Sequence, residues 1–564
     1  MLKGIAASEG IGIGKVCIVS QQKITYENKP VIGVHKEIDR LKDAIAAFME
    51  DTGKLADKME QSVNPKEAKI IRGHITMLSD PFMVSQMEDL IKNDNKCAEA
   101  AAETVLDMFK SMFAQADDEL TKQRATDVED IKTRLLKILL GIRDVDLKNL
   151  PAGTVLVTND LTPSMTAEMN HQNVVAIVTE SGGMTAHSAI LARALEIPAV
   201  LSVLNATATL KEGTNVIVDG ILGEIIDNPT MDQQELYQQK RTAYYKEKER
   251  LLSFVGKPSV TADGIHKEVF CNIGNPKDGI AAKEHDGEGV GLFRTEFLFM
   301  DRSSMPNEEE QYEAYKKVCK TMEGKTVIIR TLDVGGDKEI PYMNLVKEDN
   351  PFLGYRAIRY CLQNKESYIL QLRALIRANA DTGGNLWIMI PMIASISEIK
   401  EVRSMVSELA KELQLPIPKV GIMVETPAAF IMADKLAEYC DFFSIGTNDL
   451  TQYIMAADRG SASVAYLYKT YDPAVLRALQ TIIKAGVAAG IPVGMCGEAA
   501  ADPMLIPLLI SFGLKEFSVG PTSVLRTRGE ISRWSKEQAD EIAKGALQME
   551  TADEIKEFLK EAIK

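Results

Sequence analysis

The sequence predicts a multidomain α/β protein: a small α/β domain carrying an all-helical insertion, then a helical linker, then a carboxyl-terminal (β/α)8 barrel. Three observations predict it. A chain of 564 residues has room for three or four folding units, each with its own core. Its first 230 residues pass from strand-like apolar runs to helical spacing and back again. Beyond residue 259, eight short apolar runs alternate with helical patterns, the number of units a (β/α)8 barrel needs.

Taken in order, the opening "GIAASEGIGIGKVCIV" alternates apolar residues and ends in Val16, Ile18 and Val19, the pattern of a strand. From about Glu37 the period becomes helical: Ile38, Leu41, Ile45 and Phe48 share a face, as do Val128, Ile131, Leu135 and Leu139. Residues 30–145 are therefore expected to be a helical insertion. From Pro151 the runs "GTVLVT", "VVAIVTE" and "TNVIVDG" are short and β-branched, the signature of strands. The opening strand would be orphaned alone, so residues 1–29 and 146–230 are expected to form one α/β domain. The charged stretch "MDQQELYQQKRTAYYKEKERLLSFVGK" reads as an exposed connecting helix, a linker over 231–258 that permits a swing. Residues 259–564 hold "EVFCNI", "GVGLF", "TVIIRT", "LWIMIPM", "KVGIMVE", "DFFSIG", "IPVGMC" and "EFSV". Such continuous apolar runs fit strands buried on both faces; an open doubly wound sheet is the competing arrangement.

A net charge of −15 argues against nucleic acid as a partner. The seven cysteines show no CxxC spacing, as expected of reduced thiols in a cytoplasmic protein. No stretch is apolar enough for membrane insertion, and the start lacks the apolar core of a signal peptide.

Barrel enzymes carry their chemistry at the carboxyl ends of strands. The residues there are Asn272, Arg294, Arg330, Glu425, Asn448, Asp449 and Cys496, with Lys338 in "RTLDVGGDK" and Arg356 in "NPFLGYRAIR" close by. The basic residues form an anion site, because a planar guanidinium binds phosphate or carboxylate with two hydrogen bonds. Glu425 and Asp449 could jointly hold one hard divalent cation that takes further ligands from the substrate. The implied ligand carries phosphate and carboxylate, with Mg2+ bridging. Cys496 is either a buried core thiol or, facing the pocket, a proton donor.

One histidine stands apart. In "SGGMTAHSAILAR", His187 follows a glycine pair and opens an apparent helix for which Thr185 is a plausible N-cap. Backbone amides there can hold an anion, and a neutral imidazole is a competent nucleophile near neutral pH. A capping histidine without chemistry is the alternative. The other five histidines sit in ordinary charged or helical contexts.

The segments "GGMTAHSAILAR" and "DFFSIGTNDLTQY" resemble the two signature segments of the phosphoenolpyruvate-utilising phosphotransferases. "DLTPSMTAEM", "GLFRTEFLFMDR", "NPFLGYRAIR" and "GIMVETPAA" extend the resemblance along essentially the whole chain. The order of blocks is similar to the branch that begins bacterial sugar phosphotransferase uptake. The resemblance implies a phosphohistidine swivel domain in which His187 takes the phosphoryl group, with Thr166 close to it. It implies that Arg294, Arg330, Asn448 and Arg459 contact phosphoenolpyruvate, that Glu425 and Asp449 bind Mg2+, and that Cys496 protonates the enolate to give pyruvate. Lys338 and Arg356 also match family positions. The departures are Met184 and Ala186, where a serine is common just before the histidine. The implied partner is the histidine phosphocarrier protein, docking on the helical insertion, and the implied assembly is a homodimer through the barrel domain. A nucleotide-linked synthase or dikinase, and a non-catalytic phosphoenolpyruvate sensor, are the alternatives.

Overall fold

In the computed structural model the opening residues form three strands, β1 (Leu2–Lys3) ahead of the alternation and β2 (Ile5–Ser8) and β3 (Ile11–Val19) within it. The structure describes all residues except 20–25, 28–30, 32, 63–64, 116–118, 143–146, 162–164, 166–168, 184–186, 301, 336–339, 344, 346–347 and 564, and the side chains of 55, 58–70, 119–120, 122–123, 187, 194 and 341 are likewise not described. Contacts divide the chain into two units, 1–247 and 248–564.

The first unit holds an eight-stranded mixed sheet. β4 (Thr154–Thr158), β5 (Val174–Thr179), β6 (Ala199–Leu201), β7 (Asn215–Asp219) and β8 (Glu224–Asp227) complete it in the order β1-β8-β7-β3-β4-β5-β6-β2. β3 pairs in parallel with β4, from Lys15 against Thr154 to Val19 against Thr158. That pairing closes across the helical residues between them, so the opening strand does join the later ones. Its two faces are buried separately. Leu156, Ile177 and Leu191 lie in one apolar cluster, and Val155, Val178 and Val218 in the other. The short strands β1, β6 and β8 are additions to what periodicity shows, being too brief to display a period.

Between β3 and β4 the described residues include five α-helices: α1 (Val34–Ser62), α2 (Pro65–Leu78), α3 (Pro81–Asn93), α4 (Ala98–Ala114) and α5 (Glu119–Leu140). Ile38, Leu41, Ile45 and Phe48 of α1 meet Val128, Ile131 and Leu135 of α5 in one core, as amphipathic helices bury their apolar stripes. The segment with the glycine pair leads to α6 (His187–Ala194), whose Ala189, Leu191 and Ala192 are buried under the sheet. The charged stretch after β8 forms α7 (Met231–Leu252), shorter than the 231–258 expected of the linker. Its buried residue, Tyr237, packs on Ile11, Ile217 and Ile226.

The second unit is the closed barrel. Its strands are β9 (Glu268–Ile273), β10 (Val290–Arg294), β11 (Val327–Arg330), β12 (Leu386–Ile390), β13 (Lys419–Val424), β14 (Phe443–Ile445), β15 (Val493–Met495) and β16 (Glu516–Val519). All eight pairings are parallel, and β16 closes on β9. Each of the eight apolar runs supplies one strand, and the competing open sheet is excluded by closure. Leu292, Ile328, Met389, Met423, Phe442 and Cys496 cluster within the ring, while Trp387 and Phe442 pack 5.2 Å apart. A filled interior confines access to the strand ends.

Candidate active site at the carboxyl ends of the barrel strands

The strand ends deliver their side chains to one cleft of about 190 Å³, lined by Arg294, Arg330, Asp333, Arg356, Glu425, Asn448, Asp449, Arg459 and Cys496 among others. An adjoining cavity of about 580 Å³ shares Arg294, Asn448 and Cys496 with it and reaches Asn272. Arg294 and Arg330 are the last residues of β10 and β11. Glu425 follows β13, Cys496 follows β15, and Asn448 and Asp449 lie in the first turn of α8 (Thr447–Met455), which starts just past β14. Thr166, Thr185 and Lys338 lie outside the described residues, as do Met184 and Ala186. His187 is described by its backbone as the first residue of α6.

Buried charges organise the floor. Arg330 is 6 % exposed and pairs with the Glu296 carboxylate, and its Nη1 lies 3.0 Å from Asp333 Oδ2. Arg356, 4 % exposed, donates from Nε to Asp333 Oδ1 at 2.8 Å and from Nη2 to Asp333 Oδ2 at 3.0 Å. The same guanidinium reaches Asp449, from Nη1 to Oδ1 at 3.3 Å and from Nη2 to Oδ2 at 3.1 Å. Burial opposes the charge on both arginines, but the surrounding carboxylates outweigh it and hold both above the usual guanidinium range.

Two strained backbone positions support this floor. Met392, just past β12, has φ 60° and donates its N–H to Glu425 Oε1 at 2.7 Å. Ala357, next to Arg356, has φ 54°. A non-glycine residue in this region costs on the order of 1 kcal/mol and persists where its surroundings impose it. Gly335 is required by close approach, because a Cβ there would stand 2.7 Å from the Tyr355 carbonyl oxygen and 3.0 Å from Arg356 Cα.

The carboxylates also bear on a cation. Glu425 Oε2 is buried without a hydrogen-bond partner, and burial, then the charges of Asp449 and Asp333, raise the Glu425 pKa well above the usual carboxylate range. Oxygen donors that disfavour each other's charge suit a hard divalent cation. Among the described residues no three His, Cys, Asp or Glu side chains are grouped to hold a metal unaided. A cation at Glu425 and Asp449 would therefore draw ligands from elsewhere.

Cys496 is 5 % exposed, and its Sγ lies 3.6 Å from the Ile445 carbonyl oxygen. Burial pushes its thiol up to about 11, so near neutral pH it holds its proton. Asn272 is tied back into the barrel, donating from Nδ2 to the carbonyl oxygens of Cys496 and Ser518 at 3.1 Å each. Arg294 and Arg459 stand at the exposed rim, with Arg459 Nη1 3.7 Å from Asp449 Oδ1. Asp333 and Glu296, which hold both floor arginines, carry no mark of their own in the sequence. Each follows a strand-end arginine within three residues, in "RTLD" and "RTE", and that spacing is the signal by which they could be found.

Sequence comparison separates this cleft from other barrel mouths. The family described as "PEP-utilising enzyme, PEP-binding domain" matches residues 248–536, the N-terminal domain of PEP-utilising enzymes matches 3–124, and their mobile domain matches 150–223. The chain is 44 % identical to the phosphoenolpyruvate-protein phosphotransferase of Bacillus subtilis (strain 168) over 569 residues, covering all of both chains. The chain belongs to the phosphoenolpyruvate-protein phosphotransferase family. The relative of that name from Geobacillus stearothermophilus is 44 % identical over 99 % of this chain and 97 % of its own, and that from Staphylococcus epidermidis is 43 % identical over all of both. Within the phosphoenolpyruvate-protein phosphotransferase family the matched PEP-binding region contains the whole cleft, and the matched mobile domain contains His187. No described helix is long and apolar enough to cross a membrane.

Proposed function

We propose that this chain transfers the phosphoryl group of phosphoenolpyruvate to His187 and then to the histidine phosphocarrier protein, releasing pyruvate. The observation that carries this reading is the convergence of Arg294, Arg330, Arg356, Arg459, Asn448, Glu425, Asp449 and Cys496 on one cleft. The names of the relatives favour transfer to a protein over the nucleotide-linked and sensor alternatives.

The four guanidiniums lining the cleft are opposed there by Asp333, Glu425 and Asp449. An arriving trianion therefore finds Arg356 already engaged and meets Arg294 and Arg459 first. Glu425 and Asp449 would hold Mg2+, which, when bound, neutralises phosphate and enolate charge. Arg294, Arg330 and Arg459 orient the phosphate and Asn448 the remaining polar groups. The His187 imidazole attacks phosphorus in line, and positioning and electrostatics supply most of the rate. Cys496, a thiol at neutral pH, gives its proton to the enolate carbon and pyruvate leaves.

This reading assigns 1–29 plus 146–230 to the phosphohistidine domain with Thr166, Thr185 and His187. It assigns 30–145 to docking of the phosphocarrier protein, 231–258 to a linker whose swing lets donor and acceptor meet, and 259–564 to the substrate barrel with Lys338 and to homodimer formation. A cytoplasmic location follows from the reduced cysteines and the acidic composition. The test is incubation with radiolabelled phosphoenolpyruvate and Mg2+. Acid-labile, alkali-stable label that passes to added phosphocarrier protein and is lost in His187→Ala supports the reading. Label that moves only to a nucleotide, or no label, refutes it.

A further inference from the structure

A buried acid inside the barrel goes unused by the mechanism above. Glu516, the first residue of β16, is 4 % exposed, and its Oε1 meets no hydrogen-bond partner. Its carboxyl fills the space that side chains would take at Gly291 of β10 and Gly494 of β15. A Cβ on Gly494 would fall on Oε2, and one on Gly291 would fall on Oε1 and the Ser518 hydroxyl together. A carboxyl enclosed in an apolar ring without full hydrogen bonding is costly, so two glycines that admit it call for a reason.

The register shows what it faces. Gly494 pairs with Ser444 on one side and Glu516 on the other, so the carboxyl lies over the residue that separates it from Ser444. Ser444 is buried, its hydroxyl has no hydrogen-bond partner, and its nearness to the Cys496 thiol favours the thiolate. Separately, the Ser518 hydroxyl donates to Asn272 Oδ1 at 2.7 Å, and Asn272 Nδ2 donates to the Cys496 carbonyl oxygen at 3.1 Å, which holds the Cys496 backbone in place. On its far side Glu516 pairs in register with Glu268, whose side chain is 33 % exposed.

We infer that Glu516 is a positioning residue for the reaction, returning a proton through the Ser444 hydroxyl to Cys496 after each enolate has been protonated. The inference rests on the reading of Cys496 as the acid. In the first step the S–H bond breaks, a C–H bond forms on the enolate, and the electron pair stays on sulfur. In the second the Glu516 O–H bond breaks, its proton passes to the Ser444 oxygen while the Ser444 proton passes to sulfur, and a carboxylate remains. Water then restores the Glu516 proton by way of Glu268. Burial, then the Glu268 charge, push Glu516 up to about 8, below the 11 or so of Cys496. Proton return therefore runs downhill while pyruvate still occupies the mouth.

The test is rapid-quench counting of pyruvate per active site with the full chain, phosphoenolpyruvate, Mg2+ and excess phosphocarrier protein. In Glu516→Gln, which keeps the shape, the first turnover uses the proton already on Cys496 and keeps its normal rate. Later turnovers slow on the order of tenfold or more, giving a burst, with the KM for phosphoenolpyruvate unchanged. Glu516→Asp restores part of the steady rate. Normal steady turnover in Glu516→Gln overturns the inference, as does equal slowing of the first and later turnovers, the mark of a merely structural role. Cys496→Ala separates the two readings: a normal first turnover there refutes the cysteine as acid, whatever Glu516→Gln does.

Discussion

The cleft contains two kinds of arginine. Arg330 and Arg356 form its floor, 6 % and 4 % exposed, their terminal nitrogens engaged by Glu296, Asp333 and Asp449 while Arg330 Nε has no hydrogen-bond partner. Arg294 and Arg459 stand at the rim in solvent, and the rim's ion pair is the 3.7 Å approach of Arg459 to Asp449. The floor is built when the barrel folds, though Arg330 still faces the cleft; the rim keeps its donors for the ligand. Desolvated charges are held by fixed partners or not at all, whereas exposed ones keep their donors available.

The largest expected effect breaks the floor. Arg330→Ala takes one ion-pair partner from Glu296 and one from Asp333, and Arg356→Ala takes one from Asp333 and one from Asp449, each losing about 3–5 kcal/mol of stability because buried carboxylates lose a partner. Calorimetry of the barrel transition checks this. Next, Arg294→Ala at the rim leaves that transition unmoved but removes charge-assisted hydrogen bonds of about 1.5–3 kcal/mol, a rise in KM of roughly 10- to 150-fold. Equal loss of stability in rim and floor variants would erase the distinction between them.

A pH-dependent effect separates folding from function beneath the floor. Glu516 has its pKa raised from 4.5 to about 8, so between these values the folded protein binds a proton that the unfolded chain does not. Stability from this group is therefore full below pH 4.5 and lost as pH rises through 8. Glu516→Gln should stabilise the protein at pH 8.5 relative to the parent by on the order of 3–5 kcal/mol, seen as a higher melting temperature, and by less at pH 5.5. A gain independent of pH would mean the carboxyl does not titrate in this window. The smallest effect is at the surface: Lys54→Ala breaks an exposed pair with Glu50 and should leave thermal melting unchanged.

Much of the fold was legible because burial repeats with the geometry of its element. Ile38, Leu41, Ile45 and Phe48 recur at helical spacing and lie in one core. The eight apolar runs each form a barrel strand because a parallel sheet covered on both faces admits apolar residues throughout. β1, β6 and β8 were illegible, since two to four residues show no period. Of the candidate site, the strand-end rule placed Arg294, Arg330, Glu425, Asn448, Asp449 and Cys496, and the resemblance added Arg459; all line one cleft. Lys338, Thr166 and Thr185 lie outside the described residues.

The sequence by itself determined the family, the order of the blocks and the side chains that strand ends could present, because these depend on residue identity and local period. Tertiary structure alone decided which charges are engaged and which stay open. Asp333 joins Arg330 to Arg356, and Glu296 pairs with Arg330, only when β10, β11 and the loop at 356 come together. Glu516 became a buried acid because glycines 225 and 22 residues away in the chain leave it room. Ionisation and hydrogen bonding depend on solvent exclusion and on neighbours distant in sequence, and closing the barrel is what brings both about.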